Sequence, residues 1–291
     1  MYQPDEFVKL TNDNNINKEF QFKEGLNEDI YEFNEKDECD KGGLYFCRFK
    51  HITVWITSFN NCNIWRVSIP DGEKVIDYGY KLKAHKIILS DCQPFYENED
   101  LCKIVVQYDG ISIQFVKPEF YTEELCKLAL QRNGYALQYI KNQTEELCKL
   151  AVKQNGYAVK YVIKQTEEIC KLAVKNNGCA LEFVNEQTED ICKIAINQNG
   201  LALQYVKNQT EELCNLAVQD NIYALKYIKN QPENLCELIV QNDGFSLQYV
   251  KNQTEKICRL AVLQNNIAIK YIKDENMRKR LKKIWFKKWI K

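Results

Sequence analysis

The sequence has few of the residues that most often do chemistry. It contains two histidines, His51 and His85, and neither has a nucleophile or a metal-ligand partner at a recognisable spacing. It has no C-x-x-C pair of the kind found in zinc sites, and no glycine-rich phosphate loop beyond the turn signal Gly42-Gly43. These absences argue against catalysis, so we expect a protein that is not an enzyme and that holds no cofactor or metal.

Long apolar runs are also missing. No window approaches roughly 18 uninterrupted apolar residues, so we expect no transmembrane segment. The N-terminal stretch MYQPDEFVKL lacks a basic region followed by an apolar run, so we expect no secretory signal and an intracellular protein with reduced cysteines. The formal net charge is +0, which gives no indication of a polyanionic partner for the whole molecule.

Cysteine, in contrast, is abundant, and most of the 13 cysteines follow a fixed spacing. Seven of them stand 22 residues apart, at Cys126, Cys148, Cys170, Cys192, Cys214, Cys236 and Cys258. Cys102 precedes the first of these by 24, so two extra residues lie near Lys117–Tyr121. The spacing defines eight repeats, and their pattern is close to T-E-E-L-C-K-L-A-V-K-Q-N-G-Y-A-L-Q-Y-I-K-N-Q.

Each repeat predicts two short helices. Thr144 is a good N-cap for the first helix, and Asn155-Gly156 would end it, with Gly156 in the left-handed conformation that favours glycine. A single hairpin leaves half of its apolar face in water, so neighbouring repeats must cover it. We therefore predict a mainly α fold, a right-handed α-solenoid of about eight 22-residue helical hairpins, preceded by a small β-rich (α+β) N-terminal domain.

Three domains follow from the change in pattern along the chain: a β-rich domain at 1–95, the repeats at 96–273 and a C-terminal helix at 274–291. The first has a turn at Pro70-Asp71-Gly72. Its expected role is to cap the repeats. Its four strand-like runs are Leu44–Phe49, Ile52–Thr57, Ile64–Ile69 and Lys86–Leu89.

The cysteines at the repeat spacing are interpreted as core residues. Equivalent residues of adjacent repeats should lie about 9–10 Å apart, beyond the limit of roughly 7 Å for a disulfide. Cysteine is also a small hydrophobic residue that suits close helix contacts.

Positions that vary between repeats are the candidates for a partner-binding surface, although drift on a solvated face would give the same variation. The first helix varies at Lys149, Lys171, Lys193, Asn215, Glu237 and Arg259. The second helix varies at two positions, which give the candidate set Tyr135, Gln138, Tyr157, Lys160, Glu182, Gln204, Tyr223, Lys226, Phe245 and Gln248. The aromatic residue near the end of each repeat, such as Tyr161, is constant and is interpreted as structural.

Repeat six departs from the pattern. Ile222 stands where glycine is expected, and Pro232 replaces the next N-cap threonine. These changes predict an altered turn, with a bend, at Asn221–Pro232.

The segment at 274–291 is basic and amphipathic. Met277, Leu281 and Trp285 share one helical face. The segment is expected to cap the last repeat. Alternatively it could contact an anionic surface through Arg278, Lys279, Lys282, Lys283, Lys287 and Lys288.

Two runs carry a resemblance to a known family: E-E-L-C-K-L-A-V-K-Q-N-G-Y-A-V-K-Y-V from Glu145 and K-L-A-V-K-N-N-G-C-A-L-E-F-V from Lys171. They resemble short helical repeats of unknown function from mimivirus-like giant viruses and some intracellular bacteria. The pieces F-Q-F-K-E-G-L-N, G-G-L-Y-F, V-S-I-P-D-G and K-A-H-K-I-I-L resemble the leader domain of giant-virus repeat proteins, with His85 where an acidic residue is typical. The resemblance implies a viral protein acting in the host cytoplasm or virion, and no catalytic residues.

Three functions remain open at this point. The first is a protein–protein scaffold or adaptor that engages a host or viral protein. The second is an RNA-binding α-solenoid, which would need a basic stripe that the nearly neutral repeats do not obviously supply. The third is an enzyme within residues 1–95.

Overall fold

The computed structural model of the chain describes residues 2–17, 19–36, 41–56 and 62–289, with side chains as far as residue 283. The chain forms two compact units, Met1–Gln154 and Asn155–Lys291. No helix among the described residues has the length and apolar character that crossing a bilayer requires.

The first unit contains an antiparallel sheet of seven strands in the order β4-β9-β6-β1-β5-β8-β7, and a separate hairpin of β2 and β3. The β-rich prediction is therefore correct, and three of the four predicted runs coincide with strands β5, β6 and β9. The strands are β1 Phe7–Asn12, β2 Ile16–Asn17, β3 Phe20–Gln21, β4 Gly25–Glu28, β5 Leu44–Arg48, β6 Cys62–Ser68, β7 Val75–Asp77, β8 Leu82–Ala84 and β9 Lys86–Pro94.

The predicted strand at Ile52–Thr57 is wrong. Residues Phe49–His51 form a 3₁₀ helix, η1, and Ile52–Ile56 form a short α-helix, α1, while Thr57 lies outside the described residues. Ile52 and Ile56, one helical turn apart, are both buried. A five-residue apolar run fits both a strand and a buried helix, and here its packing decides between them.

One face of the sheet is covered by helices of the same unit. The sheet runs into a 3₁₀ helix η2 at Phe95–Glu97 and then into the first repeat helix, α2, at Glu99–Tyr108. Leu101 and Val105 of α2 share a buried cluster with Val8 of β1 and Ile64 of β6. The sheet therefore covers the apolar side of the first repeat, as expected for an N-terminal cap. The boundary at 95/96 stays a prediction.

The repeats alternate an α-helix with a 3₁₀ helix. In the first unit they are α2, η3 Gly110–Phe115, η4 Pro118–Phe120, α3 Glu123–Arg132, η5 Gly134–Tyr139 and α4 Glu145–Gln154. In the second unit they are η6 Gly156–Tyr161, α5 Glu167–Asn176, η7 Gly178–Phe183, α6 Glu189–Gln198, η8 Gly200–Tyr205, α7 Glu211–Asp220, η9 Ile222–Tyr227, α8 Glu233–Asn242, η10 Gly244–Tyr249, α9 Glu255–Gln264 and η11 Asn266–Tyr271. The last element is α10, Glu275–Trp289.

The first helix of each repeat begins as predicted. The hydroxyl of Thr166 accepts a hydrogen bond from the Ile169 N–H, and Thr188 accepts one from Ile191 in the same way. Two acidic residues follow each of these two caps, where the exposed N–H groups favour negative charge. Pro232 keeps the extended cap conformation but supplies no side-chain acceptor for α8.

The second element is a 3₁₀ helix rather than the expected α-helix. Asn155 is extended and accepts a hydrogen bond from the Tyr157 N–H, so the Asn-Gly pair starts the second helix as well as ending the first. The i→i+3 pattern closes with the Val162 N–H bonded to the Val159 carbonyl at 3.1 Å. A 3₁₀ helix rises about 2.0 Å per residue against about 1.5 Å in an α-helix, so the six residues of η6 span about 12 Å, compared with about 15 Å for the ten residues of α5.

A glycine begins the 3₁₀ helix of six of the eight repeats, and it serves close packing rather than a left-handed turn, which corrects the prediction for Gly156. Its φ is not among the positive values of the chain. A Cβ at Gly156 would lie 2.5 Å from the Ala173 carbonyl oxygen of the next repeat, and one at Gly178 would lie 2.3 Å from that of Ala195. Only glycine therefore lets the 3₁₀ helix touch the following α-helix.

In the second unit, a glutamine before the N-cap position of each helix from α5 to α9 joins neighbouring repeats. The Gln187 amide donates to the Leu181 carbonyl of its own repeat and the Tyr205 carbonyl of the next, and its oxygen accepts from the Lys207 N–H. The same three bonds recur in the second unit at Gln209, Gln231 and Gln253. Each glutamine therefore satisfies backbone groups that the irregular connection leaves open.

The cysteines at the repeat spacing are buried free thiols, consistent with a packing role. Several also contact the joining glutamines, with Cys170 Sγ 3.7 Å from Gln165 Oε1. Burial raises the pKa of Cys170 and of Cys258 to about 11, so these thiols are protonated and unreactive near neutral pH.

Candidate functional site

The ten candidate partner-binding residues all lie on the 3₁₀ helices, at positions two and five counted from the first helical residue. The Ala and Leu at positions three and four are buried, whereas Gln138, Lys160 and Gln204 at position five are exposed. Because a 3₁₀ helix has about three residues per turn, positions two and five lie above one another. The two variable positions therefore form one face of each second helix.

Aromatic side chains link these faces from repeat to repeat. In the second unit Tyr223 meets Tyr249 edge-on with ring centroids 5.7 Å apart, and Phe245 meets Tyr271 at 6.2 Å. Each pair joins position two of one repeat to position six of the next. Tyr157 and Phe183, with centroids 6.0 Å apart, make the same contact.

The position-six aromatics thus belong to the candidate surface, although their constancy in the sequence predicted only a structural role. They are half-buried rather than enclosed. No local pattern indicates this exposure, because in a 3₁₀ helix position six falls on the same side as the buried alanine at position three. We call this surface the aromatic ladder; in the second unit it comprises Tyr157, Tyr161, Cys179, Phe183, Leu201, Tyr205, Tyr223, Tyr227, Phe245, Tyr249, Ile267 and Tyr271.

Charged and polar groups at position five rest on the ladder. The Lys160 ammonium lies 5.4 Å from the Phe183 ring centroid, and that of Lys226 lies 4.5 Å from Tyr227. A hydrogen bond to the Tyr227 hydroxyl raises the pKa of Lys226, so its charge is kept at physiological pH. Glu182 places a negative charge at the same position of another repeat. The ladder therefore presents a different charge in each repeat above a similar apolar base.

Glutamine at position five is tethered to its own helix. The Gln204 amide donates to the Leu201 carbonyl at 3.1 Å, and Gln138 and Gln248 make the equivalent bond at position two. The bond holds the side chain along the helix and leaves its carbonyl oxygen available to a partner.

The variable positions on the first helix have structural contacts. Lys171 pairs with Glu167 at 2.8 Å and reaches Asp190 of the next repeat at 3.5 Å. Lys193 pairs likewise with Glu189 and Glu212. This face is an ion-paired, solvated surface, which is the alternative explanation of its variation.

A column of four lysines follows the 3₁₀ helices of the second unit: Lys207, Lys229, Lys251 and Lys273. The sequence did not predict this column. Lys229 Nζ donates to the Lys207 carbonyl at 2.8 Å, and Lys251 and Lys273 each reach the carbonyl of the preceding lysine. Within the described part of the chain, none of these four ammonium groups lies within 4.0 Å of a carboxylate. The column is thus a row of unneutralised positive charge.

The C-terminal helix forms as predicted and contacts the last repeat. The Asp274 carboxylate caps α10 by accepting from the Met277 N–H at 2.8 Å, and Leu281 is buried. Among the predicted anion contacts, Lys279, Lys282 and Lys283 are exposed and Arg278 is half-buried. The side chains of Lys287 and Lys288 lie outside the described residues.

Among the described residues, His85 contacts an acidic side chain that also binds a lysine. His85 Nε2 lies 3.4 Å from Glu28 Oε1, and the same carboxylate binds Lys86 at 3.0 Å. Over the described ranges, no group of three histidine, cysteine or acidic side chains has an arrangement suited to a metal ion.

Comparison with known families supports the repeat assignment. A family model described as a domain of unknown function, DUF4116, matches residues 98–144, 122–166, 144–188 and 166–211. Residues 98–211 are similar to DUF4116 repeats. The successive matches begin 24 or 22 residues apart, in step with the structural repeat. The same α and 3₁₀ elements continue as far as Tyr271. No curated protein and no solved structure shows significant similarity to the chain.

Proposed function

We propose that the repeats are a non-enzymatic scaffold that binds a protein partner through the aromatic ladder. The observation that carries this proposal is that the packing positions of the repeats are conserved from repeat to repeat, whereas the outward positions vary. The Gly–Ala contact recurs between all neighbouring repeats except six and seven, and the joining glutamine is constant from α5 to α9, whereas the outward residues at positions two and five change. A constant frame with a variable aromatic face is suited to recognition, because tyrosine contributes a large, rigid contact area at interfaces.

The experiment uses two variants of the full chain. The ladder variant carries Tyr157→Ser, Tyr223→Ser and Phe245→Ser. The control carries Lys175→Ser, Asn197→Ser and Gln219→Ser, three exposed residues at one equivalent position near the ends of α5, α6 and α7. Both are compared with the unaltered chain by quantitative affinity capture from cells, after circular dichroism has verified folding.

We expect the ladder variant to lose specific protein partners that the control retains, by about tenfold or more. Equal recovery by both variants would contradict binding through the ladder. Catalytic activity that survives in residues 1–95 alone would contradict the non-enzymatic part of the proposal.

A second candidate function is binding of RNA or another anionic surface, and the lysine column is the observation that favours it. Replacing Lys207, Lys229 and Lys251 with glutamine removes three charges from the column. If RNA binds there, the slope of log affinity for a poly(U) strand against log salt should fall by about 2. A full chain that binds poly(U) with no salt dependence, or not at all, excludes this function. A loss of slope only on removal of residues 274–291 would assign the contact to α10.

The resemblance to giant-virus repeat proteins supports further parts of the proposal. We propose that the chain is viral, that residues 1–95 are the leader domain of such proteins, and that it acts in the host cytoplasm or virion. The right-handed course of the solenoid belongs to the same proposal. Its direct test is an experimental structure of the full chain.

A further inference from the structure

Three Lys–Asn pairs lie in the connections that follow the 3₁₀ helices η8, η9 and η10. All of these residues are exposed, and each pair stands 22 residues after the one before it. The pairs therefore occupy equivalent places in repeats five, six and seven. We call this row the Lys–Asn strip; it comprises Lys207, Asn208, Lys229, Asn230, Lys251 and Asn252.

The lysines of the strip are held in place by the backbone of the preceding repeat. Lys251 Nζ donates to the Ile228 carbonyl at 2.7 Å and to the Lys229 carbonyl at 3.1 Å. Lys207 Nζ donates in the same way to the Asn185 carbonyl at 2.8 Å. An ammonium has three N–H donors, so each of these retains at least one for a ligand. Because their rotamers are already ordered, binding an anion costs these side chains less conformational entropy.

Packing within the chain does not account for lysine at these positions. The bonds to the Asn185 and Lys207 carbonyls are exposed, so water could satisfy the same acceptors. In repeats three and four the equivalent residues are Ile163 and Asn185. The repeat therefore folds without a lysine there. Its use in successive repeats, with no ion pair to a carboxylate in the described ranges, points to an anion outside the chain.

The asparagines of the strip also lack a structural explanation. Asparagine is common in turns because it tolerates the left-handed conformation or because its side chain bonds to nearby backbone. Neither reason applies to Asn208, Asn230 or Asn252, since none has a positive φ and their amides bond to no other described residue. Each amide therefore has free donors and a free acceptor beside an ammonium. These groups match the C=O and N–H of a peptide backbone.

We propose that the Lys–Asn strip binds an extended acidic segment of the protein partner in the polyproline II conformation. The proposal rests on the proposed scaffold function in one respect, namely that the partner is a protein. A polyproline II chain has three residues per turn and rises about 3.1 Å per residue, so every third side chain lies on one face, about 9 Å apart. Neighbouring helices pack about 9–10 Å apart.

This match in spacing lets one carboxylate in every three residues meet one lysine in each repeat. The backbone of a polyproline II chain makes no internal hydrogen bonds, so its N–H and C=O groups are free to pair with the asparagine amides. A nucleic-acid strand carries a phosphate at every nucleotide, and phosphates between successive lysines would meet no cation of the strip. The sparse cations therefore favour a peptide.

Three short peptides test the proposal in titrations of the full chain by calorimetry and fluorescence anisotropy. The spaced peptide repeats Glu-Pro-Ser four times. The clustered peptide has the same composition with its glutamates adjacent, and the neutral peptide is the spaced peptide with glutamine in place of glutamate. Poly(U) is titrated in the same buffer.

Two variants of the strip are compared with matched controls. The asparagine variant carries Asn208→Ala, Asn230→Ala and Asn252→Ala, and its control carries Asn197→Ala, Asn234→Ala and Asn242→Ala. The lysine variant carries Lys207→Gln, Lys229→Gln and Lys251→Gln, and its control carries Lys164→Gln, Lys175→Gln and Lys282→Gln. All the control residues are exposed and lie outside the strip. Circular dichroism verifies that each variant folds.

We expect one spaced peptide per chain, bound about tenfold more tightly than the neutral peptide and about fivefold more tightly than the clustered one. Each strip variant should lower the affinity for the spaced peptide about tenfold, and each control by less than about twofold. Equal affinity for the spaced and clustered peptides would show attraction by charge alone. An effect of the lysine variant without one of the asparagine variant would show that the amides contact no peptide. Either result overturns the proposal, as does tighter binding of poly(U) than of the spaced peptide through the strip.

The ladder variant separates this proposal from the scaffold function. It leaves the strip intact, so it should bind the spaced peptide as the unaltered chain does. If it also retains every protein partner, binding through the ladder fails and the strip stands. If it loses those partners while both strip variants bind the spaced peptide normally, only the strip proposal fails.

Discussion

Two junctions between neighbouring repeats of the second unit are built from the same elements but pack differently. At the junction of repeats five and six, Gly200 lies against the Ala217 carbonyl and its N–H donates to Asp220 at 2.6 Å. Helices α6 and α7 pack closely there. At the next junction Ile222 replaces the glycine and Ile239 replaces the alanine. Helices α7 and α8 lack the close backbone packing of the other neighbouring helices in this unit.

At the second junction the α-helices are separated, whereas the 3₁₀ helices are not. Gln231 still donates to the Leu225 and Tyr249 carbonyls, so the 3₁₀ edges remain joined. On the α edge, Val218 is half-exposed and Leu238 is 56% exposed. The joining glutamine therefore keeps the repeats connected, whereas the Gly–Ala contact determines how closely their α-helices approach.

The structure of repeat six differs from the prediction in its turn geometry. Asn221 has φ −145° and ψ 110°, and it caps its 3₁₀ helix as Asn199 does. The turn predicted to change at Asn221–Pro232 therefore keeps its local geometry. The difference lies in packing between repeats, because Ile222 cannot approach the next helix as glycine does.

The largest expected effect comes from making a close junction like the open one. Gly178→Ile places a Cβ 2.3 Å from the Ala195 carbonyl oxygen, so α6 must move away. We expect the free energy of unfolding in urea to fall by about 3 kcal/mol. The matched change Ile222→Val at the open junction should cost less than about 1 kcal/mol. Equal losses at the two sites would contradict the role assigned to glycine.

Removing a joining glutamine should have the next largest effect. Gln187→Ala leaves two carbonyls and the Lys207 N–H without their partner, and the bonds to the two carbonyls are partly buried. We expect a loss of about 2 kcal/mol in urea unfolding. Gln204→Ala removes one exposed bond within its own helix and should cost about 0.5 kcal/mol or less. If both cost the same, the glutamine does not join the repeats.

The sequence predicted the repeat and its first helix because their determinants are local. The N-cap, the acidic first turn and the apolar face of α5 all lie within Thr166–Asn176. The constant and variable positions also separated the buried Ala180 from the exposed Glu182 correctly. Both features depend on contacts that recur in every repeat.

The parts that were missed depend on contacts distant in sequence. Gln187 bonds to residues 18 and 20 positions away, so it resembled a linker residue. The choice between α and 3₁₀ helix leaves little trace in six residues, since both bury Ala180 and Leu181. A cavity of about 650 Å³, lined in part by Lys9 and Leu44, lies where β1 separates from β5, and no local pattern around Lys9 indicates it.

Restoring the consensus should close the open junction. In the double variant Ile222→Gly with Ile239→Ala, the α edges of repeats six and seven can approach as in the other junctions. We expect amide hydrogen exchange across α7 and α8 to slow by about fivefold, equal to ~1 kcal/mol. Ile239→Ala alone keeps the obstructing Ile222 and should not slow exchange. Slower exchange in the single variant would show that Ile222 does not keep α7 and α8 apart.

The smallest expected difference is in the rate of alkylation of two cysteines. Cys192 lies at a close junction, and Cys214 lies beside the open one. Both are buried, and burial, with a nearby glutamate as the lesser cause, raises the pKa of each thiol above its ordinary value. Because the thiolate is the reactive form, alkylation should accelerate about tenfold per pH unit between pH 7 and 9 for both residues. Mass spectrometry of iodoacetamide-treated protein should show rates within about twofold of one another. Much faster labelling of Cys214 would contradict this expectation. It would show that the open junction widens in solution far enough to expose the buried thiol.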